Sequence, residues 1–301
     1  MADFPKVALN LVFIKPDVIV QVAQRAEALG FESVWMGEHV ALPHGDGWWK
    51  GYPGLPVEVR DAPEGEALMT FRPENLWLDP LTTFAHLAAA TTTLRFGVGI
   101  FLLPLRNPVL LGRTLATLDV LSNGRIDLGV GIGWSKAEYD HTENDWRMRG
   151  RRMDESIACL RALFDPRDDF PEYHGKIFDV PRIGFLPKPK QDPFPIHVGG
   201  YGDAAVRRAA SVGNGYYGSV ALMPAVRQAL KDAGREGEAF EFTATLPMQD
   251  DAAANLEGLR DYARKGVDRA IVAPWRRHTP IGIEAIDLLE DYARQIQLAP
   301  N

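Results

Sequence analysis

The sequence predicts an α/β chain closed into a (β/α)8 TIM barrel, with a long loop after the second strand and an insertion before the fifth. Two observations carry this. Short runs rich in Val, Ile, Leu and Phe alternate with segments of helical period, the pattern of βα units around a parallel sheet, and eight such runs can be counted. The 301 residues contain no low-complexity linker or shift of composition, so residues 1–301 fit one large barrel domain. Periodicity alone also leaves open a doubly wound sheet with a small second domain.

The first run is KVALNLVF at 6–13. After it, Val18, Val22 and Leu29 fall at helical spacing, and Gly30 is placed to stop that helix. ESVWMGEH at 32–39 is the second strand. The stretch 40–78 is rich in Gly, Pro and Trp and has no period, as in lids and binding loops. Asp79 and Pro80 then supply the cap and first-turn proline of a helix over LTTFAHLAAA. LRFGVGIFLL at 94–103 is the third strand, and Asn107-Pro108 repeats the device for VLLGRTLATLDVL, which Asn123 and Gly124 end. RIDLGVGIGW at 125–134 is the fourth strand, followed by a short loop and a helix from Asp145 to Phe164. The proline-rich segment 165–195 reads as an insertion holding a small hairpin, YHGKIFDV. PIHVGG at 195–200 is the fifth strand, with Asp203 capping AAVRRAASV. GYYGSVAL, EFTATLPM and RAIVAPW complete the eight, and a last helix runs from 281 to 297.

Composition narrows the function. The net charge of −7 comes without a Lys/Arg run, which argues against nucleic-acid or anionic-membrane partners and for a small-molecule substrate. No apolar run approaches the length of a membrane span. The single cysteine, Cys159, cannot form an internal bridge, and the first thirty residues lack the pattern of a signal peptide, so a soluble cytoplasmic protein is expected. The first strand has no His-x-His and one cysteine makes no thiolate cluster, so no metal is expected.

In a barrel the chemistry sits where strands end. Glu38 and His39 close the second strand and supply a permanent acid beside a group that titrates near neutrality, the combination that orients and tunes a proton carrier. Gly97 and Gly99 strip one face of the third strand, and Gly129, Gly131 and Gly133 do the same in the fourth; a flat ring could lie on such backbone, or the glycines could serve close packing in the barrel. The fourth strand lacks the third glycine of a dinucleotide fingerprint, because Trp134 stands there. Gly199 and Gly200 before a helix offer N–H groups to a phosphate, or simply make a tight turn. His197 reads as a packed barrel histidine. Arg106 reads as a surface arginine at a helix start, able to meet an anion. Trp48, Trp49 and Tyr52 in the long loop are candidates to close over an apolar substrate or to anchor the loop.

Taken together, SVWMGEH, the block LRFGVGIFLLPLRNPVLLGRTLATLDVLSNGRIDLGVGIGW, the helix with RRMDESI and PIHVGGYGDAAVRRAA resemble the bacterial luciferase-like superfamily over residues 6–275. The PLRNPVLL and LGVGIGW combination is most similar to its coenzyme F420-dependent subgroup; other members use reduced FMN with oxygen. The resemblance implies a flavin-like ring at the carboxyl mouth of the barrel, seated on a bulge within Gly99, Ile100 and Phe101 that often holds a non-proline cis peptide. It also implies a cofactor tail past Ile132, Gly133 and Trp134, a phosphate at Gly199 and Gly200, secondary contacts at Gly218 and Ser219, Glu38 and His39 beside the ring, and a homodimer. Related sugar-phosphate dehydrogenases carry a carboxylate where this chain has Trp134, which argues against sugar phosphate oxidation; Glu138 is the nearest acid downstream and could reach back. The expected activity is hydride transfer between coenzyme F420 and an organic substrate, with His39, oriented by Glu38, handling the proton. The alternatives are a reduced-FMN monooxygenase and a non-catalytic flavin- or deazaflavin-binding protein.

Overall fold

The computed structural model describes residues 4–42, 75–275 and 280–299; Trp48, Trp49 and Tyr52 lie outside them. Eight parallel strands close a barrel: β1 (Lys6–Asn10), β2 (Ser33–Met36), β3 (Arg95–Leu102), β4 (Ile126–Gly131), β7 (Ile196–Gly199), β8 (Gly215–Tyr217), β9 (Glu241–Thr245) and β10 (Arg269–Val272). Their order around the barrel is β1-β10-β9-β8-β7-β4-β3-β2. The insertion before β7 holds the expected hairpin, β5 (Tyr173–His174) paired antiparallel with β6 (Asp179–Val180).

Local chemistry sets most element ends. α1 (Ile19–Leu29) stops at Gly30, whose φ of 92° is left-handed. α2 (Pro80–Ala88) is capped by Asp79, which accepts from Thr82 N–H, and α3 (Pro108–Leu121) by Asn107, which accepts from Val109 and Leu110 N–H at 2.9 and 3.3 Å. Asn107→Ala therefore should cost about 1 kcal/mol, a fall of about 2 °C in the thermal midpoint that calorimetry would register. β1 ends earlier than its apolar run because Asn10 Oδ1 accepts from Val12 N–H at 2.8 Å and turns the chain. The GYYGSVAL run is likewise shorter as strand: Ser219 accepts from Ala221 N–H and starts a 3-10 turn ahead of the helix Met223–Asp232.

Two further differences bear on function. The segment after β4 forms a helix, α4 (Lys136–His141), before a 3-10 turn and α5 (Arg149–Phe164). The helix after β7, α6 (Asp203–Val212), is preceded by Gly202 at the cap position; Asp203 is its exposed first residue and caps nothing.

The barrel interior is layered. At the N-terminal end, Arg269 is 1% exposed and binds Glu32 through two 2.8 Å hydrogen bonds and Glu241 at 3.0 Å, while Arg95 binds Asp127 at 2.8 and 3.0 Å. His197 is buried there, edge-on to Trp35 at 6.1 Å, and burial holds its imidazole below the ordinary value. Above this charged plug lies Trp35, and Tyr217 stacks on it at 5.7 Å and 14°. The glycines of β3 and β4 make these layers possible: a Cβ on Gly97 would fall 2.1 Å from the Trp35 ring, and one on Gly129 would fall 2.1 Å from the Val98 carbonyl oxygen. Close packing thus accounts for both.

The Val98 carbonyl introduces a bulge. Val98 pairs with Leu128 but Phe101, three residues on, pairs with Val130, two residues on, so β3 carries one extra residue, and the Gly99–Ile100 peptide within it is cis. The Ile100 side chain crosses toward β4 and β7, where a Cβ on Gly131 or Gly199 would lie 2.5 or 2.4 Å from it.

Candidate active site

The bulge forms part of the floor of a cavity of about 950 Å³ at the C-terminal mouth of the barrel, near the top of the roughly 300–1,000 Å³ range of small-molecule sites. Glu38, His39, Gly99, Ile100, Ile132, Gly133, Trp134, Gly199 and Gly200 all line it. Phe101 does not: it is 1% exposed and packs in the layer outside the barrel, with the Arg106 guanidinium 4.6 Å above its ring. Gly218 and Ser219 are also outside the lining; Gly218 abuts the Tyr216 hydroxyl and Ser219 is spent on its turn.

Glu38 and His39 are not partners. Glu38 accepts from Leu102 N–H at 2.7 Å and from the Arg106 guanidinium at 2.5 Å, so Arg106 meets a buried carboxylate and is no free surface residue. Burial pushes the Glu38 carboxyl up, to about 7, against the pull of Arg106 and of the Leu102 amide. His39 turns to Glu138 on α4, with Nδ1 3.3 and 3.2 Å from its two oxygens. Glu138 is 1% exposed and is held in place by Val40 N–H at 2.7 Å. A carboxylate acceptor at Nδ1 fixes the proton on that nitrogen and makes Nε2 the basic one. Trp77 and Trp134 stand edge-on to the imidazole at 4.7 and 5.4 Å and confine its plane.

Tyr217 and Thr245 also line the cavity, their hydroxyls 3.3 Å apart; both sit at strand ends. On the β4 and β7 side the wall includes Arg149 and Arg208. Arg149 stacks 3.8 Å above Trp146, and Arg208 pairs with Asp154 at 2.5 Å. Gly200, with φ 140°, is tied by its carbonyl to the Tyr216 hydroxyl at 2.8 Å and leads through Gly202 into α6.

The description of the luciferase-like monooxygenase family matches residues 8–298. The chain belongs to that family. It is therefore a luciferase-like oxidoreductase by membership, and its closed eight-stranded barrel is the luciferase-like fold. It is 31% identical to an uncharacterized protein of Mycobacterium tuberculosis over 84% of this chain and 83% of that one. It is 27% identical to an F420-dependent glucose-6-phosphate dehydrogenase of Amycolatopsis mediterranei over 78% of this chain and 66% of that one. In structure it shares its fold with an F420-dependent secondary alcohol dehydrogenase in complex with an F420–acetone adduct, at a TM-score of 0.74 and 15% identity over 97% and 99% of the two chains. Among the described residues, no helix is long and apolar enough to cross a membrane.

Proposed function

We propose that the protein binds coenzyme F420 at the barrel mouth and catalyses hydride exchange with an organic substrate. The observation that carries this reading is the raised, apolar Gly99–Ile100 floor lying in one cavity with a histidine that a buried carboxylate holds in a single tautomer.

The residues present fit a deazaflavin. Ile100 offers an apolar seat, and Gly131 and Gly199 have no side chain because Ile100 fills their place. Gly133, with φ 67°, and Gly200 expose bare backbone toward the cavity, which suits a tail and its phosphate; Arg149 and Arg208 add positive charge on the same side. When bound, the deazaflavin supplies two-electron hydride chemistry, because carbon replaces the reactive nitrogen of a flavin. The chain supplies the rest. His39 Nε2 takes up or delivers the proton that accompanies the hydride, Glu138 fixes the tautomer, and the apolar walls exclude water from the exchange.

The test is equilibrium binding. Oxidised coenzyme F420 is expected to bind at least tenfold more tightly than FMN. Arg208→Ala should weaken F420 binding by roughly tenfold, the loss of one charge-assisted contact. Binding of FMN with no measurable F420 affinity, or oxygen-dependent turnover with reduced FMN, would overturn the choice of cofactor.

A further inference from the structure

The barrel order divides the mouth into two sides of different chemistry. β3, β4 and β7 bring glycine backbone and, on α5 and α6 beyond them, Arg149 and Arg208. β1, β10 and β9 lie across the barrel from them and bring Phe13, Leu246, Met248 and Trp275. Phe13, Leu246 and Trp275 line the cavity and are only 6, 6 and 4% exposed. Among the described residues lining the cavity, the arginines of the other side are the only basic side chains besides His39.

The polar atoms that the described residues bring to the apolar side are neutral. Asn10 Oδ1 accepts from Val12 N–H, and its amide NH2 is a further neutral donor on this side. The Tyr217 and Thr245 hydroxyls hold two donors between them, and their mutual hydrogen bond uses one. One O–H remains for a ligand oxygen, and burial keeps the Tyr217 phenol protonated by raising it above its ordinary value.

Resting on the oxidoreductase reading above, we infer that the substrate is an uncharged compound with an apolar body that lies against Phe13, Leu246, Met248 and Trp275, its carbonyl or hydroxyl oxygen held by the Tyr217–Thr245 hydroxyl pair. Among the described residues, a carboxylate or phosphate on this side would lose its water and gain no cation in return, a large penalty, whereas a ketone oxygen needs only a neutral donor, which the hydroxyl pair supplies. Apolar contact with the wall supplies the affinity and the hydroxyl pair the orientation.

A matched probe series tests this: 2-acetonaphthone, 2-naphthoate and 2-naphthyl phosphate, which share a ring and differ in the head group, with naphthalene as the headless reference. Each is titrated by tryptophan fluorescence into the protein with and without saturating oxidised coenzyme F420. The ketone is expected to bind at least tenfold more tightly than either anion. Tyr217→Phe and Thr245→Val should each weaken the ketone by roughly fivefold and leave naphthalene unchanged. Tighter binding of 2-naphthyl phosphate than of the ketone would overturn the proposal, as would ketone affinity that neither variant alters. Because F420 affinity is measured first and separately, a failure of the cofactor reading with the ketone preference intact removes only the former.

Discussion

Glu138→Gln is expected to lower kcat by roughly 100-fold while coenzyme affinity stays within about twofold, although the change removes no atom that takes up a proton. The reason is the hydrogen-bond polarity of the amide. Glu138 Oε1 accepts from Val40 N–H at 2.7 Å, and a glutamine keeps its carbonyl oxygen there. Its NH2 group then faces His39 Nδ1, where the carboxylate now accepts at 3.2 Å. Nδ1 must become the acceptor, the proton moves to Nε2, and the imidazole can no longer act as a base on the substrate side. His39→Ala should cost at least as much, and the double variant no more than the worse single one, since the two residues act as a unit. Nitrogen-15 chemical shifts of His39 would show the tautomer change directly. An unchanged tautomer with kcat within threefold of wild type would refute the pairing.

That pairing shows what kind of information the sequence withholds. Glu38 and His39 are neighbours in the chain, and neighbours leaving a strand point opposite ways. One side chain is therefore taken by Leu102 and Arg106 while the other turns to α4, past the end of β4. The true partner lies 99 residues away. A signal was present: Ser135-Lys-Ala-Glu138 has the form of a capping box. In the structure Ser135 makes no side-chain cap bond, and its Oγ is buried without a partner among the described residues. Glu138 instead turns out of the box to Val40 and His39. A local rule broken at one residue, with its group redirected into a cavity, is how a site departs from its scaffold.

Most strands and the caps at Asp79, Asn107 and Gly30 were legible because their causes are local; Asp203 was misplaced by one residue, since Gly202 holds the cap position. The bare faces of β3 and β4 were legible as well, as glycines of one parity. What fills them was not. Trp35 over Gly97, the Val98 carbonyl over Gly129 and Ile100 over Gly131 and Gly199 are contacts between strands, and spacing in one strand carries no trace of its neighbour's volume. The bulge within Gly99, Ile100 and Phe101 followed only from family resemblance. Even there the parity of Phe101 mattered, because the extra residue returns it to the outer face. Tyr217 and Thr245 sit where β8 and β9 end, the position that barrel logic singles out, but nothing in GYYG or FTAT marks them as polar contacts.

The charged plug beneath the site gives the largest expected effect on stability. Arg269→Met should destabilise the protein by about 3–5 kcal/mol, as when one member of a buried ion network is removed. The thermal midpoint should fall by roughly 10 °C. The loss comes from what remains: Glu32 gives up two 2.8 Å bonds and Glu241 one of 3.0 Å, while Asp127 keeps Arg95. Burial opposes ionisation of Glu32 and Asp127, yet the hydrogen bonds and charge of Arg269, with Arg95 at Asp127, win and hold both carboxyls below their ordinary values of 4.5 and 3.8. A carboxyl depressed in the folded state contributes stability above its unfolded value and loses it as pH falls through the folded one. The deficit of the variant should therefore be full near neutral pH and shrink below about pH 4, because the wild type loses the same contribution there. Adding Glu32→Gln to Arg269→Met removes one stranded charge and should recover part of the loss. Urea unfolding of the wild type and both variants at pH 7 and pH 4 decides it: a cost under 1 kcal/mol at pH 7, or one that grows in acid, would mean that Trp35 and its neighbours, and not the ion network, hold the base of the barrel together.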